Sequence, residues 1–144
     1  MKRLTQNNNI FFLVPFFAAI FAAWYLVFIL QFVYTDALAR SFHAYAVFFG
    51  NEPKFASIGF VWPPVPTLTA LPFVLIKPLN IFGFVGNFLS AAFLGAACIY
   101  LNKIFKFFNL SSLLRVSLLV LFIFNPMILF YGANGMSEIM AITF

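Results

Sequence analysis

The chain holds only three acidic residues in 144: Asp36, Glu52 and Glu138. Asp36 and Glu138 border long apolar runs. A carboxylate near hydrocarbon is costly, roughly 2.5–3.5 kcal/mol at mid-membrane and less towards the edge. Ionisable groups kept in such places are functional candidates by default. At 100° per residue, Asp36, Arg40 and His43 fall within about 60° of one another on a helix. Leu38, Phe42, Tyr45 and Phe49 take the opposite side. Lys77, next to Pro78, is a candidate phosphate contact.

Each residue also has a plain structural reading. Asp36 can cap a helix, or pair with Arg40 at i,i+4 for a few tenths of a kcal/mol. His43 can be a solvated residue on a polar face. Glu138 can sit in the first turn of the next helix, favoured by the dipole. Lys77 can snorkel to headgroups. His43 is the only histidine and Cys98 the only cysteine. A His/Cys zinc cluster and an internal disulfide are therefore excluded within this sequence. Cys98 falls mid-helix, where cysteine behaves as a small hydrophobe.

The elements that must position these residues are apolar helices. Hydrophobic residues make up 65% of the sequence and charged residues 8%. Soluble domains run at roughly 45–50% and about 25%. A bilayer core about 30 Å thick takes about 20 helical residues per crossing. The net charge of +5 comes from scattered residues. It forms no basic patch for nucleic acid and instead reports membrane orientation.

The sequence predicts an all-α, polytopic integral membrane protein with about three transmembrane helices, over 10–34, 79–101 and 113–131. Amphipathic surface helices occupy the first outer loop, 35–78. Ala37-Leu38-Ala39 imitates a signal-cleavage pattern, but the apolar run before it is 25 residues (Ile10 to Tyr34), beyond a signal core of about 7–15. Trp24 and Tyr25 lie too deep for an interfacial belt and should pack on protein. Residues 35–50 read as a surface helix started by Thr35 or Asp36 and ended by Gly50. A proline-rich connector, 51–66, carries Trp62 as an interfacial anchor. A second surface or re-entrant helix follows over 67–76.

Ser90-Ala91-Ala92 and Gly95-Ala96-Ala97 permit close packing in the second span. Ser111 or Ser112 should cap the third, with Arg115 at its edge and a kink at Asn125-Pro126 near its far end. Residues 132–138 are a polar break, and 139–144 open another apolar segment. Six residues cannot cross a bilayer, so 1–144 reads as a single membrane domain, the N-terminal part of a larger bundle. Lys2, Arg3, Lys103, Lys106 and Arg115 would be cytoplasmic, against Arg40, Lys54 and Lys77 outside. The N-terminus is then inside, in the plasma membrane. Asp36, Arg40, His43 and Glu138 share the outer face.

Tyr34-Thr35-Asp36, the helix from Asp36 through Arg40 to His43, the segment Ala56-Ser-Ile-Gly-Phe-Val-Trp-Pro-Pro-Val-Pro66, Asn125-Pro-Met and Asn134-Gly-Met-Ser-Glu138 together carry a resemblance. The chain resembles the N-terminal part of GT-C superfamily membrane glycosyltransferases, with protein mannosyltransferases and aminoarabinose transferases as relatives. It departs from them in carrying Ala37 where many members have a second acidic residue. The resemblance implies a polyprenyl-phosphate sugar donor and transfer at the extracytoplasmic face. Asp36 would be the general base and Glu138 a second catalytic carboxylate, orienting the acceptor or a divalent cation. Arg40, His43 and Lys77 would bind substrate. No metal ligand set or certain cofactor is assigned. The implied partners are the lipid-linked donor, membrane lipids and partner membrane helices, with no nucleic acid. Two readings compete: a non-catalytic subunit packing on partner helices, and a lipid or ion transporter element. No ionisable residue falls mid-span to line a transport pathway.

Overall fold

A computed structural model describes residues 8–59 and 64–144. Lys2, Arg3, Trp62 and Pro63 lie outside them. The described residues are all helix and turn, with no strand. Helix α1 (Asn8–Trp24) runs into a π-helical turn, Tyr25–Ile29, and takes the buried Pro15 within it. The predicted span reached Tyr34, but the helix closes at Ile29. Gln31 adopts φ 51°, and the Phe32 N–H returns to the Leu26 carbonyl at 2.9 Å. A left-handed residue at a helix end is usually glycine, and with glutamine there the sequence showed no stop. Trp24 and Tyr25 do not pack away as predicted. They are 45% and 46% exposed, and Trp24 stacks on Phe21.

Two helices lie within the predicted 35–78 loop, α2 (Thr35–Phe49) and α3 (Pro64–Val74). A 3₁₀ turn, Phe55–Ile58, lies between them. Pro64 and Pro66 enter the first turn of α3, where a missing N–H costs nothing, so this helix starts inside the predicted connector. Neither Thr35 nor Asp36 caps α2. Tyr34 is its N-cap, without a side-chain bond. The inner face of α2 is Ala37, Arg40, Ser41 and Ala44, all buried, while Leu38, Phe42 and Phe49 point outward. The predicted polar face is thus packed against protein. Small residues at 37, 41 and 44 let backbones approach, and Arg40 goes in with them.

Helix α5 (Val85–Phe107) lies antiparallel to α1. Phe16 meets Phe88 at 5.6 Å and Phe28 meets Phe82 at 5.7 Å. At Gly95 an added Cβ would stand 2.7 Å from the Phe12 ring. The small residues of α5 therefore seat α1, as their spacing predicted. The span was expected at 79–101. Instead a short α4 (Lys77–Ile81) ends in a turn at Gly83, φ 62°, and α5 begins after it. At its far end α5 continues through Lys103 and Lys106, which are good helix formers.

The third predicted span is two helices. Helix α6 (Ser112–Ile123) is capped by Ser111, whose Oγ accepts from the Leu114 N–H at 3.4 Å. Helix α7 (Pro126–Ala133) leaves it at 65°. Asn125 Oδ1 accepts the Met127 and Ile128 N–H groups at 3.0 and 3.4 Å. Proline removes one helical bond and asparagine replaces the rest of the turn, so the kink is a full break, well before the far end. A six-residue α8 (Glu138–Thr143) folds back along α5, with Thr143 Oγ1 donating to the Phe93 carbonyl. The helical runs Asn9–Ile29 and Val85–Phe107 are long and apolar enough to cross a membrane, and the bent α6–α7 pair makes a third if it is one crossing. Ala19, Leu94, Cys98, Leu119, Ile123 and Ile139 form the core between them.

Candidate functional site

Three backbones meet where α2 and α5 begin and α7 ends. Gly135, at φ 80°, brings its Cα so close to α2 that an added Cβ would lie 2.9 Å from Ala37 Cβ and 3.2 Å from the Asn87 nitrogen. At Gly86 an added Cβ would stand 3.2 Å from the Gly135 carbonyl oxygen. No residue with a side chain adopts Gly135's backbone without strain.

Polar side chains tie this junction together. Asn87 Nδ2 donates to the Ala133 carbonyl at 2.6 Å. Ser90 Oγ lies 3.1 Å from the Gly86 carbonyl and 3.2 Å from that of Met136. Asn134 Oδ1 accepts from the Met136 N–H at 2.9 Å, and Ser41 Oγ donates to the Ala37 carbonyl. Tyr34 and Phe130 pack edge to face beside it, 5.9 Å apart.

Asp36 precedes Ala37 by one residue, and Glu138 follows Gly135 by three. The two segments that carry these carboxylates are therefore fixed to one another. Asp36 is half-buried in the first turn of α2. Arg40 follows one turn later on the inner face, 7% exposed. Glu138 opens α8 half-buried, and its Oε2 is buried with no hydrogen bond among the described residues.

The other two candidates take different places. His43 was read as a solvated residue or a substrate contact, but it is half-buried and ties α2 to the 3₁₀ turn. Its Nδ1 is 3.0 Å from the Ser57 carbonyl, and since a carbonyl only accepts, Nδ1 carries the proton. Lys77 is exposed at the start of α4. No group of three or more His, Cys, Asp or Glu side chains gathers among the described residues.

Reading the sequence missed the amides. Asn87, Asn102 and Asn134 are all buried. The available signal was an amide inside an otherwise apolar run, which is expensive unless bonded. Asn102 serves the opposite end, where Arg115 Nη1 reaches its Oδ1 at 3.5 Å and Nη2 reaches Ser112 Oγ at 3.1 Å. Arg115, in the first turn of α6, is 7% exposed. No family model, curated protein or solved structure matches the chain.

Proposed function

We propose that this is an integral membrane protein whose outer end carries acidic residues of a sugar-transfer site, with a polyprenyl-phosphate sugar as donor. The single observation behind this is the junction of the Asp36 and Glu138 segments at one end of an apolar bundle. A carboxylate oxygen there is buried and unbonded among the described residues. Large apolar side chains such as Phe17, Phe21, Phe42 and Leu121 face outward around the bundle, which is how a protein solvated by lipid presents itself. By sequence, Lys2, Arg3, Lys103, Lys106 and Arg115 flank one side of the apolar runs against Arg40, Lys54 and Lys77 on the other, and this five-to-three excess favours the carboxylate end outside and the N-terminus in the cytoplasm.

In this reading Asp36 takes the proton of an acceptor hydroxyl. The hydroxyl oxygen bonds to the anomeric carbon as the bond from that carbon to the lipid phosphate breaks. The lipid phosphate leaves with the electron pair, and the anomeric centre inverts. Arg40 balances the carboxylates or the departing phosphate. The test uses the protein in liposomes containing a polyprenyl-phosphate mannose and reads release of the lipid phosphate. Asp36→Asn should lower turnover by about 10²–10⁴-fold, the usual contribution of a general base. Full turnover in that variant would end the assignment.

The alternative of a non-catalytic subunit drew on the small residues of α5 and on the absence of a complete site. Those residues are occupied by α1 within the chain, with Phe12 over Gly95, so that support is already taken up.

A further inference from the structure

A groove runs between α2 and the turn that joins α4 to α5. Its volume is about 390 Å³, and Leu38, Ser41, Phe42, Tyr45, Asn80 and Gly83 line it. Small-molecule sites span roughly 300–1,000 Å³. The four residues from α2 stand at i, i+3, i+4 and i+7, one stripe of the helix. Gly83 comes so near α2 that an added Cβ would lie 3.2 Å from Leu38 Cδ1. Leu38 and Phe42 are 47% and 64% exposed, so part of the groove wall belongs to the outward apolar face of α2. Ser41 Oγ is already engaged by the Ala37 carbonyl. Tyr45 and Asn80 are half-buried, and neither side chain makes a hydrogen bond among the described residues.

The charges around the groove narrow its occupant. Asp36 and the buried Arg40 on α2, with Lys77 on α4, give one carboxylate against two cations. Helix α3, the 3₁₀ turn and α5 as far as Asn102 carry no charge, and Glu52 pairs with Lys54 at 2.9 Å. Lys77 is exposed, without an ion pair among the described residues. It precedes Asn80 by three residues, so the two are neighbours on α4. The surroundings favour an anion at the α4 end, with donors available from Tyr45 and Asn80 and apolar contact at Leu38 and Phe42. We infer that the groove seats one anionic phospholipid of the bilayer. Its phosphate lies towards Lys77, its ester carbonyls accept from the Tyr45 hydroxyl and the Asn80 amide, and an acyl chain follows Leu38 and Phe42. A polyprenyl phosphate carries hydrocarbon directly after its phosphate and offers no ester oxygen to Tyr45 or Asn80. The groove is therefore a seat for bilayer lipid and not for a sugar donor. The inference rests on the membrane part of the reading above and is independent of sugar transfer.

The test uses the full chain in detergent micelles and counts retained lipid by native mass spectrometry. The probes are dioleoylphosphatidylglycerol, dioleoylphosphatidylcholine and a polyprenyl phosphate. One phosphatidylglycerol should stay on each chain, held about fivefold more tightly than phosphatidylcholine, the worth of one lysine beside an anionic headgroup. Lys77→Gln should remove that preference. Tyr45→Phe and Asn80→Leu should each weaken retention of both phospholipids about 2–10-fold, the share of one net hydrogen bond. Tyr45→Phe keeps the ring that packs on Phe49 at 4.8 Å, so it serves as the second variant should Asn80→Leu fail to fold. No specifically retained phospholipid, or unchanged retention in the folded variants, would overturn the inference. So would displacement of phosphatidylglycerol by an equal concentration of the polyprenyl phosphate. Alkaline carbonate extraction of the full chain from membranes tells the two failures apart. Release of the chain would remove the membrane reading and the lipid seat together. A chain that stays in the membrane yet retains no phospholipid would overturn the seat alone.

Discussion

Replacing Gly135 by alanine should be among the most damaging one-methyl changes in the chain. The left-handed backbone at φ 80° costs an L-residue roughly 1–2 kcal/mol. The new methyl would also arrive 2.9 Å from Ala37 Cβ and 3.2 Å from the Asn87 nitrogen. Neither is the end of a flexible side chain, so the helices must separate, which costs about 1–3 kcal/mol as overpacking. Together these give about 2–5 kcal/mol. Gly86→Ala meets the Gly135 backbone at 3.2 Å without the conformational strain, and should lose only the second part. Gly132→Ala meets chiefly Leu94 Cδ2, a methyl that can rotate away, and should lose least. Unfolding by SDS in mixed micelles, followed by circular dichroism, ranks the three. The pair Ala37→Gly with Gly135→Ala then isolates the clash with Ala37, because the cycle should recover that share of the overpacking alone. Equal stability of Gly135→Ala and wild type, or no coupling between positions 37 and 135, would refute the contact between α2 and the turn before α8.

Four other outcomes follow. Asn125→Ala removes the acceptor for two N–H groups at the start of α7 and should cost about 1 kcal/mol in the same unfolding assay. Gly95→Leu drives a side chain into the Phe12 ring, so α1 and α5 should part, and a spin-label distance across them should lengthen. Cys98, fully buried, should resist maleimide until the protein is unfolded. In a Cys98→Ser background, cysteines at 36 and 138 should label from one side of sealed vesicles and a cysteine at 106 from the other.

How much of this was readable in the sequence depended on whether a signal was local. The surface helix over 35–50, its end at Gly50, the Ser111 cap and the small-residue face of α5 follow from composition and spacing within one turn or two. The errors arise where a distant partner decides. Gln31 ends α1 in a conformation normally marked by glycine. Arg40 and His43 lie on the face a helical wheel calls polar, yet Arg40 packs inward beside Ala37 and Ala44, and His43 reaches a carbonyl fourteen residues away. The side-chain contacts of Asn87 and Ser90 link positions 46 apart, and no periodicity encodes that. The shared end of Asp36 and Glu138 was expected from orientation alone. The glycine crossing that fixes their segments was not.

The inner face of α2 is completed by Gly135, which is made 98 residues after Ala37. At about 5–20 residues per second a ribosome needs roughly 5–20 s to cover that stretch. Throughout that interval the Ala37 end of the α2 inner face lacks that cover. The Ala37 end of that face therefore closes last, whereas Ala44 can already pack on α3 and α5. Assembly of this end is thus ordered in time by synthesis, with the packing of α2 on α3 and α5 first and the Gly135 crossing last.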